Sequence, residues 1–138
     1  MMVLVDTSVW SIAFRRRRED LNRSETAVRG TLEKIITEGR AALLGAIRQE
    51  LLSGIRDEPQ FLRLRSSLRA FPDVPLQLED YEEGARLGNL CRNHGIAGSS
   101  VDFLICSVAI RRNWPVYTQD RDFTFYRSRI PVQLLHVP

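Results

Sequence analysis

The sequence predicts an α/β protein built on a short, mostly parallel sheet covered by helices on both faces. Two observations carry this expectation. Short apolar runs rich in β-branched residues alternate with segments of helical period along the whole chain. The first run, Val3-Leu4-Val5, stops abruptly at Asp6 and turns polar, as a strand does at the mouth of an open parallel sheet. With 138 residues, the chain fits one domain spanning 1–138, large enough to bury a core without metal or disulfide staples.

The elements follow in order. After the first strand, Val9 to Phe14 carries apolar residues at helical spacing and breaks into Arg15-Arg16-Arg17-Arg18, a basic loop. Ala27, Val28, Leu32, Ile35 and Ile36 mark a second helix, with Ser24 as its expected N-cap and Gly39 as its stop. Ala41-Ala42-Leu43-Leu44 reads as a buried strand, and about 46–54 as a helix carrying Glu50 at the margin of its apolar stripe. Phe61, Leu64, Leu68 and Phe71 define a further amphipathic helix, closed by Pro72-Asp73-Val74-Pro75.

A short strand is expected at 75–78, then a helix from Glu79 to His94 with Gly95 in the left-handed cap position. Residues 101–110 are apolar almost all round, so that helix is expected to be buried, with Asp102 in its first turn. Pro115 to Thr118 is another strand, ending at Gln119-Asp120-Arg121-Asp122-Phe123, and residues 131–137 supply a last one. The expected order is β-α-α-β-α-α-(β)-α-α-β-α-β.

Composition narrows the class. The 43% apolar and 27% charged residues suit a soluble globular protein, and no apolar run is long enough to span a bilayer. Met1 to Val5 lacks the basic start and extended apolar stretch of a signal peptide, so a cytoplasmic location is expected. Cys91 and Cys106 fall in apolar helical patterns and are expected to be buried thiols. Lys34 is the only lysine among 20 basic residues, and the preference for arginine is compatible with bidentate phosphate recognition.

The candidate chemistry rests on acids at element ends. Asp6, Glu50, Asp102 and Asp120, with Asp122 nearby, each have a plainer explanation. Asp6, Thr7 or Ser8 would cap the next helix, Glu50 would pair with Arg48 or Arg56, and Ser99-x-x-Asp102 matches a capping box. Brought together, however, two carboxylates about 4 Å apart repel by about 4 kcal/mol at an effective dielectric near 20. Such a cluster calls for raised pKa values or a divalent cation, and oxygen-only donors suit Mg²⁺ or Mn²⁺. The hydroxyls of Thr7 and Thr118 are placed to orient the acids, and Arg15 to Arg18 form either a solvated segment or a surface for the phosphates of a polymer.

At this point the chain resembles a known family. Val3-Leu-Val-Asp6-Thr-Ser-Val-Trp10, Gln49-Glu50-Leu-Leu-Ser-Gly54, Val101-Asp102-Phe-Leu-Ile-Cys-Ser-Val-Ala109 and Tyr117-Thr-Gln-Asp120-Arg-Asp122-Phe123 look like the ordered motifs of PIN-domain proteins, and among them VapC toxins of type II toxin–antitoxin systems. The resemblance covers essentially the whole chain. It implies a three-layer α/β/α sandwich and a Mg²⁺- or Mn²⁺-dependent endoribonuclease. Asp6, Glu50, Asp102 and Asp120 match the catalytic quartet, with Asp6, Asp102 and Asp120 as metal ligands and Asp122 as the additional acid. The implied partners are an RNA substrate, a VapB-like antitoxin and a second copy of the chain, with hetero-oligomeric toxin–antitoxin assembly. The dense arginine run and Cys106-Ser107, where two alanines are frequent, depart from the commoner pattern.

Two other classes stay open on the residues alone. One is a non-catalytic RNA- or protein-binding domain whose acids serve caps and salt bridges. The other is a small-molecule phosphohydrolase with Asp6 as nucleophile, although Thr7-Ser8 follows where an Asp-x-Asp motif would place its second acid, and no Walker-type loop is present. A histidine-based nuclease is disfavoured, because His94 falls at a helix end and His136 next to the terminus.

Overall fold

The computed structural model describes residues 1–136. Three parallel strands form its sheet in the order β2-β1-β3, with β1 (Val3–Val5) between β2 (Ala41–Ala42) and β3 (Val116–Tyr117). Val3 and Leu4 lie opposite Ala41 and Ala42, while Leu4 and Val5 lie opposite Val116 and Tyr117. All three β1 side chains are completely buried, which explains why the run is apolar at consecutive positions.

Helices α1 (Thr7–Phe14) and α2 (Arg23–Thr37) follow β1, with a short 3₁₀ turn at Arg18–Asp20 between them. Trp10 of α1 is fully buried, packs edge-on against Phe71, and donates its indole N–H to the Val5 carbonyl at 3.0 Å. That bond fixes α1 to the end of the central strand. The α2 cap is Asn22 instead of the expected Ser24. Asn22 accepts from the Glu25 N–H at 2.8 Å while Glu25 returns a bond to the Asn22 N–H at 3.0 Å.

After β2 come α3 (Gly45–Leu52), α4 (Glu58–Leu68), α5 (Leu78–Asn93) and α6 (Ser100–Arg112), and after β3 comes α7 (Asp122–Arg127). The strand expected at 75–78 does not form. Pro75 has no N–H to give, and the Gln77 N–H is taken by the Asp80 carboxylate at 2.8 Å, which starts α5 instead. Among the described residues a single bridge between Leu43 and Asp73 is all that extends the sheet on that side. The last expected strand shrinks to one bridge between Val116 and Leu134, and its end at Val137 lies outside the described residues.

Helices α5 and α6 pack closely because Gly84 and Gly88, about one turn apart, face Phe103. A Cβ at Gly88 would lie 3.1 Å from the Phe103 ring, and one at Gly84 3.4 Å from its carbonyl oxygen. The same pair is clamped by Asp80, which has no exposed surface. Arg112 grips its carboxylate with two N–H groups at 2.9 and 3.0 Å, and Arg111 adds a third bond at 3.2 Å. These arginines hold the Asp80 carboxyl below its ordinary range, chiefly through the Arg112 hydrogen bonds. His94 sits at the C-cap of α5 with Gly95 in the left-handed conformation, and both cysteines are buried and free, as expected. Among the described residues no helix is long and apolar enough to cross a membrane.

Candidate active site

The site lies at the C-terminal ends of β1 and β3. Asp6 follows Val5 directly, and its N–H bonds to the Tyr117 carbonyl at 2.9 Å, so the two strand ends are tied by backbone before any side chain is considered. Asp6 is only 5% exposed. Its Oδ2 accepts from the hydroxyls of Ser8 and Thr118, both at 2.8 Å.

The capping explanation for 6–8 therefore fails for each residue in turn. Asp6 occupies the N-cap position of α1 but makes no side-chain cap bond. Thr7 sends its hydroxyl to Glu50 Oε1 at 3.2 Å, and Ser8 sends its own to Asp6. The side chains that would normally satisfy a helix start are all spent on the acids.

The hydroxyls also organise the loop after β3. The Gln119 N–H donates to Ser8 Oγ at 3.0 Å and the Asp120 N–H to Thr118 Oγ1 at 2.9 Å. The Asp122 N–H in turn donates to Asp120 Oδ1 at 2.9 Å, at the start of α7. A continuous ladder from Asp6 to Asp122 thus holds two exposed acids beside a buried one.

Asp102 enters from the first turn of α6, which Ser99 caps by accepting the Asp102 N–H at 3.1 Å. Only this half of the capping box is a cap, because the Asp102 carboxylate accepts the Tyr126 hydroxyl at 2.6 Å. One oxygen each from Asp102, Asp120 and Asp122 lies within 4.8 Å of the others. Burial raises the Asp102 pKa first. The Tyr126 bond opposes that rise, and the charges of Asp6 and Asp120 add to it. Glu50 is likewise raised, by partial burial and then by the charges of Asp6 and Asp102, against the Thr7 bond. It pairs with neither Arg48 nor Arg56; Arg48 instead reaches Asp73 at 2.8 Å.

These mutual effects place all five sequence-predicted acids in one electrostatic neighbourhood, with the tight group at Asp102, Asp120 and Asp122. The donor set is carboxylate oxygen throughout, and its like charges already strain the ionised state. It therefore fits a hard divalent cation. Two site residues carry more than the sequence suggested. Ser8, expected only as an alternative cap, links both strand ends. Tyr126 was not singled out, and its only local signal is its place on α7, four residues after Asp122.

The arginine run divides. Arg16 pairs with Glu25, and Arg18 reaches Glu33 at 3.3 Å, stapling the turn between α1 and α2. Arg15 and Arg17 make no ion pair among the described residues. Eight residues of α1 separate the run from Asp6, about 12 Å of helix axis.

A family model of the PIN domain matches residues 3–127, a span that contains every acid named above. No curated protein matches the sequence. Among solved structures, the chain is similar to FitAcB from Neisseria gonorrhoeae, at 20% identity and a TM-score of 0.73, covering 98% of this chain and 97% of that one. It is similar to VapBC2 from Rickettsia felis bound to a DNA fragment from their promoter, at 18% identity and 0.72, covering 98% of each chain. A third likeness is to VapBC-5 of the VapBC toxin–antitoxin family from Mycobacterium tuberculosis, at 24% identity and 0.68, covering 99% and 100%. At these identities the structures establish a shared fold, and with the family match across all four acid-bearing motifs, the chain belongs to the PIN-domain family.

Proposed function

We propose that the protein is a metal-dependent endoribonuclease, the toxin of a VapBC-type toxin–antitoxin pair. The observation that carries this reading is the convergence of carboxylates from separate segments at the C-terminal edge of a parallel sheet, three of them with oxygens within 4.8 Å. Asp102 and Asp120 would hold Mg²⁺ or Mn²⁺, with Asp122 and Asp6 as the further carboxylates. Asp6 Oδ2 is engaged by two hydroxyls, whereas Oδ1 accepts no hydrogen bond among the described residues. When bound, the cation supplies Lewis-acid stabilisation of charge on a phosphodiester and eases deprotonation of water beside it.

The chain's own groups do the positioning. Tyr126 holds Asp102 by one oxygen, and Thr118 and Ser8 fix Asp6 while anchoring the Asp120 loop. Glu50, oriented by Thr7 and with its pKa raised, is suited to hold or release a proton at the edge of the site. A VapB-like antitoxin, a homodimer and a hetero-oligomer with the antitoxin are the proposed assemblies. The antitoxin partner is supported by the fold shared with chains solved as VapBC toxin–antitoxin proteins. The alternative with Asp6 as a phosphohydrolase nucleophile draws no support from a carboxylate so buried and twice hydrogen-bonded.

The direct test is cleavage of RNA with Mg²⁺ or Mn²⁺ by the wild type, Asp102→Asn and Asp120→Asn. Both variants should lose cleavage. Undiminished cleavage by both would refute the site, and a wild type that binds RNA without cutting it would favour a non-catalytic binding domain.

A further inference from the structure

We propose that the cleft between the C-terminal end of α1 and helix α4 is a subsite for one backbone phosphate of an RNA strand, clamped by Arg15 and Arg63. This rests on the ribonuclease reading and deepens it, by assigning where the strand is held away from the acids.

The cleft has a volume of about 110 Å³, and Phe14, Ile55 and Leu64 are the apolar residues among those that line it. Two arginines line it with Gln60, Arg15 just past the end of α1 and Arg63 on α4. Neither arginine makes an ion pair or a side-chain hydrogen bond among the described residues. Arg16, Arg18, Arg29 and Arg48 are paired with carboxylates, and Arg17 and Arg65, which like Arg15 and Arg63 make no ion pair among the described residues, do not line the cleft. Like charges sharing one notch repel, and an anion seated between them removes that cost. Planar guanidinium forks suit a tetrahedral oxyanion with several acceptor oxygens. The Gln60 side chain has no partner among the described residues and can add a neutral donor. The Ser67 hydroxyl also lines the cleft but already donates to the Arg63 carbonyl at 3.1 Å.

Continuity with the acidic site argues that the anion belongs to the substrate. Thr7, which bonds Glu50, opens α1, and Arg15 follows the last residue of the same helix, about 12 Å along its axis. Glu50 lies on α3, and the chain leaving that helix supplies Ile55 to the cleft lining. The α1 side of the cleft is therefore an extension of the helix that Thr7 opens, and Ile55 joins the cleft to the end of α3. A strand lying across the acids would place a phosphate a few nucleotides away in the notch. Arg16 and Arg18 act instead as staples of the α1–α2 turn.

The test uses single-stranded RNA and the Asp102→Asn protein, which prevents cleavage during binding measurements. Arg15→Gln and Arg63→Gln should each weaken RNA binding by about tenfold. The double variant should be little worse than either, because both grip one phosphate. The slope of log affinity against log salt should fall by about 0.7, the value for one single-strand phosphate contact. Arg86→Gln, which removes a positive charge from α5, should change neither quantity. Inorganic phosphate is the second probe, read as shifts of the Arg15 and Arg63 side-chain Nε resonances. If the wild type cleaves RNA while both variants bind with unchanged affinity and slope, the subsite is overturned. If phosphate moves both resonances but RNA does not bind, the notch is an oxyanion site for another ligand and the RNA assignment is overturned. If RNA binds through the notch but the wild type never cuts it, the ribonuclease reading fails and the subsite stands.

Discussion

The hydroxyl of Tyr126 donates to Asp102 Oδ2 at 2.6 Å, joining α7 to the first turn of α6. Tyr126 is otherwise a core residue, its ring buried and packed 4.9 Å from Phe103 and 5.2 Å from Phe123. Tyr126→Phe preserves that packing and removes one charge-assisted bond. It should cost about 1–3 kcal/mol in unfolding free energy and weaken divalent metal binding by roughly tenfold or more, as loss of an outer-sphere partner does. Urea titration and metal calorimetry on the same variant check both effects. Unchanged metal affinity would show that Tyr126 is a packing residue only.

Gly98 protects the same contact from the loop before α6. A Cβ there would stand 2.4 Å from the Tyr126 oxygen and 2.9 Å from the Phe103 ring. Gly98→Ala must therefore push Tyr126 or Phe103 aside, at a cost of about 1–3 kcal/mol. RNA cleavage should fall with it, because the displaced hydroxyl is the one that holds Asp102. A thermal melt and a cleavage assay at a temperature where the variant is fully folded separate the two consequences.

Thr118 serves two partners, donating to Asp6 Oδ2 and accepting the Asp120 N–H. Thr118→Val keeps the shape and leaves both short of a partner, so a loss of about 1–3 kcal/mol is expected. Ser8→Ala removes the other hydroxyl on the same oxygen, and the double variant should deviate from additivity because the sites share Asp6. Additive losses in a double-mutant cycle would contradict a shared network.

The Asp80 clamp gives a pH signature away from the site. Asp80→Asn leaves Arg111 and Arg112 facing a neutral group at the α5–α6 contact, and should destabilise the protein by about 1–3 kcal/mol at neutral pH. The folded-state pKa is depressed below the ordinary 3.8, so the folded state binds fewer protons than the unfolded chain through that range. The stabilisation is fully present above the ordinary value and is lost as pH falls through the depressed one. The gap between wild type and variant should therefore close below about pH 4. Urea denaturation across this window would show a constant gap if the pair contributed nothing.

Much of this was legible because local rules and tertiary needs coincide. Val3-Leu4-Val5 announces a doubly buried strand, and the apolar run after Ser99 a buried helix. Asp6, Asp102 and Asp120 fall at the ends where such elements deliver side chains. Where a side chain overrides the local pattern, sequence reasoning fails. Asn22 outcompetes Ser24 as a cap because Glu25 answers it three residues later. Asp80 captures the Gln77 N–H and turns an expected strand into a helix start. The Tyr126–Asp102 and Ser8–Gln119 bonds span 24 and 111 residues, and no periodicity encodes a partner so distant. The arginine run looked uniform, yet Glu25 and Glu33 pair with two of its members and leave the other two unpaired among the described residues.

Calorimetric titration of Mn²⁺ into the wild type and into Asp102→Asn and Asp120→Asn tests the central claim most directly, that separated acids form one divalent-cation site. The wild type should bind in a saturable transition and gain about 2.7 kcal/mol of stability at a hundredfold excess over its Kd. Each variant should bind at least tenfold more weakly. No binding by the wild type at millimolar Mn²⁺, or equal affinity in all three proteins, would contradict the account.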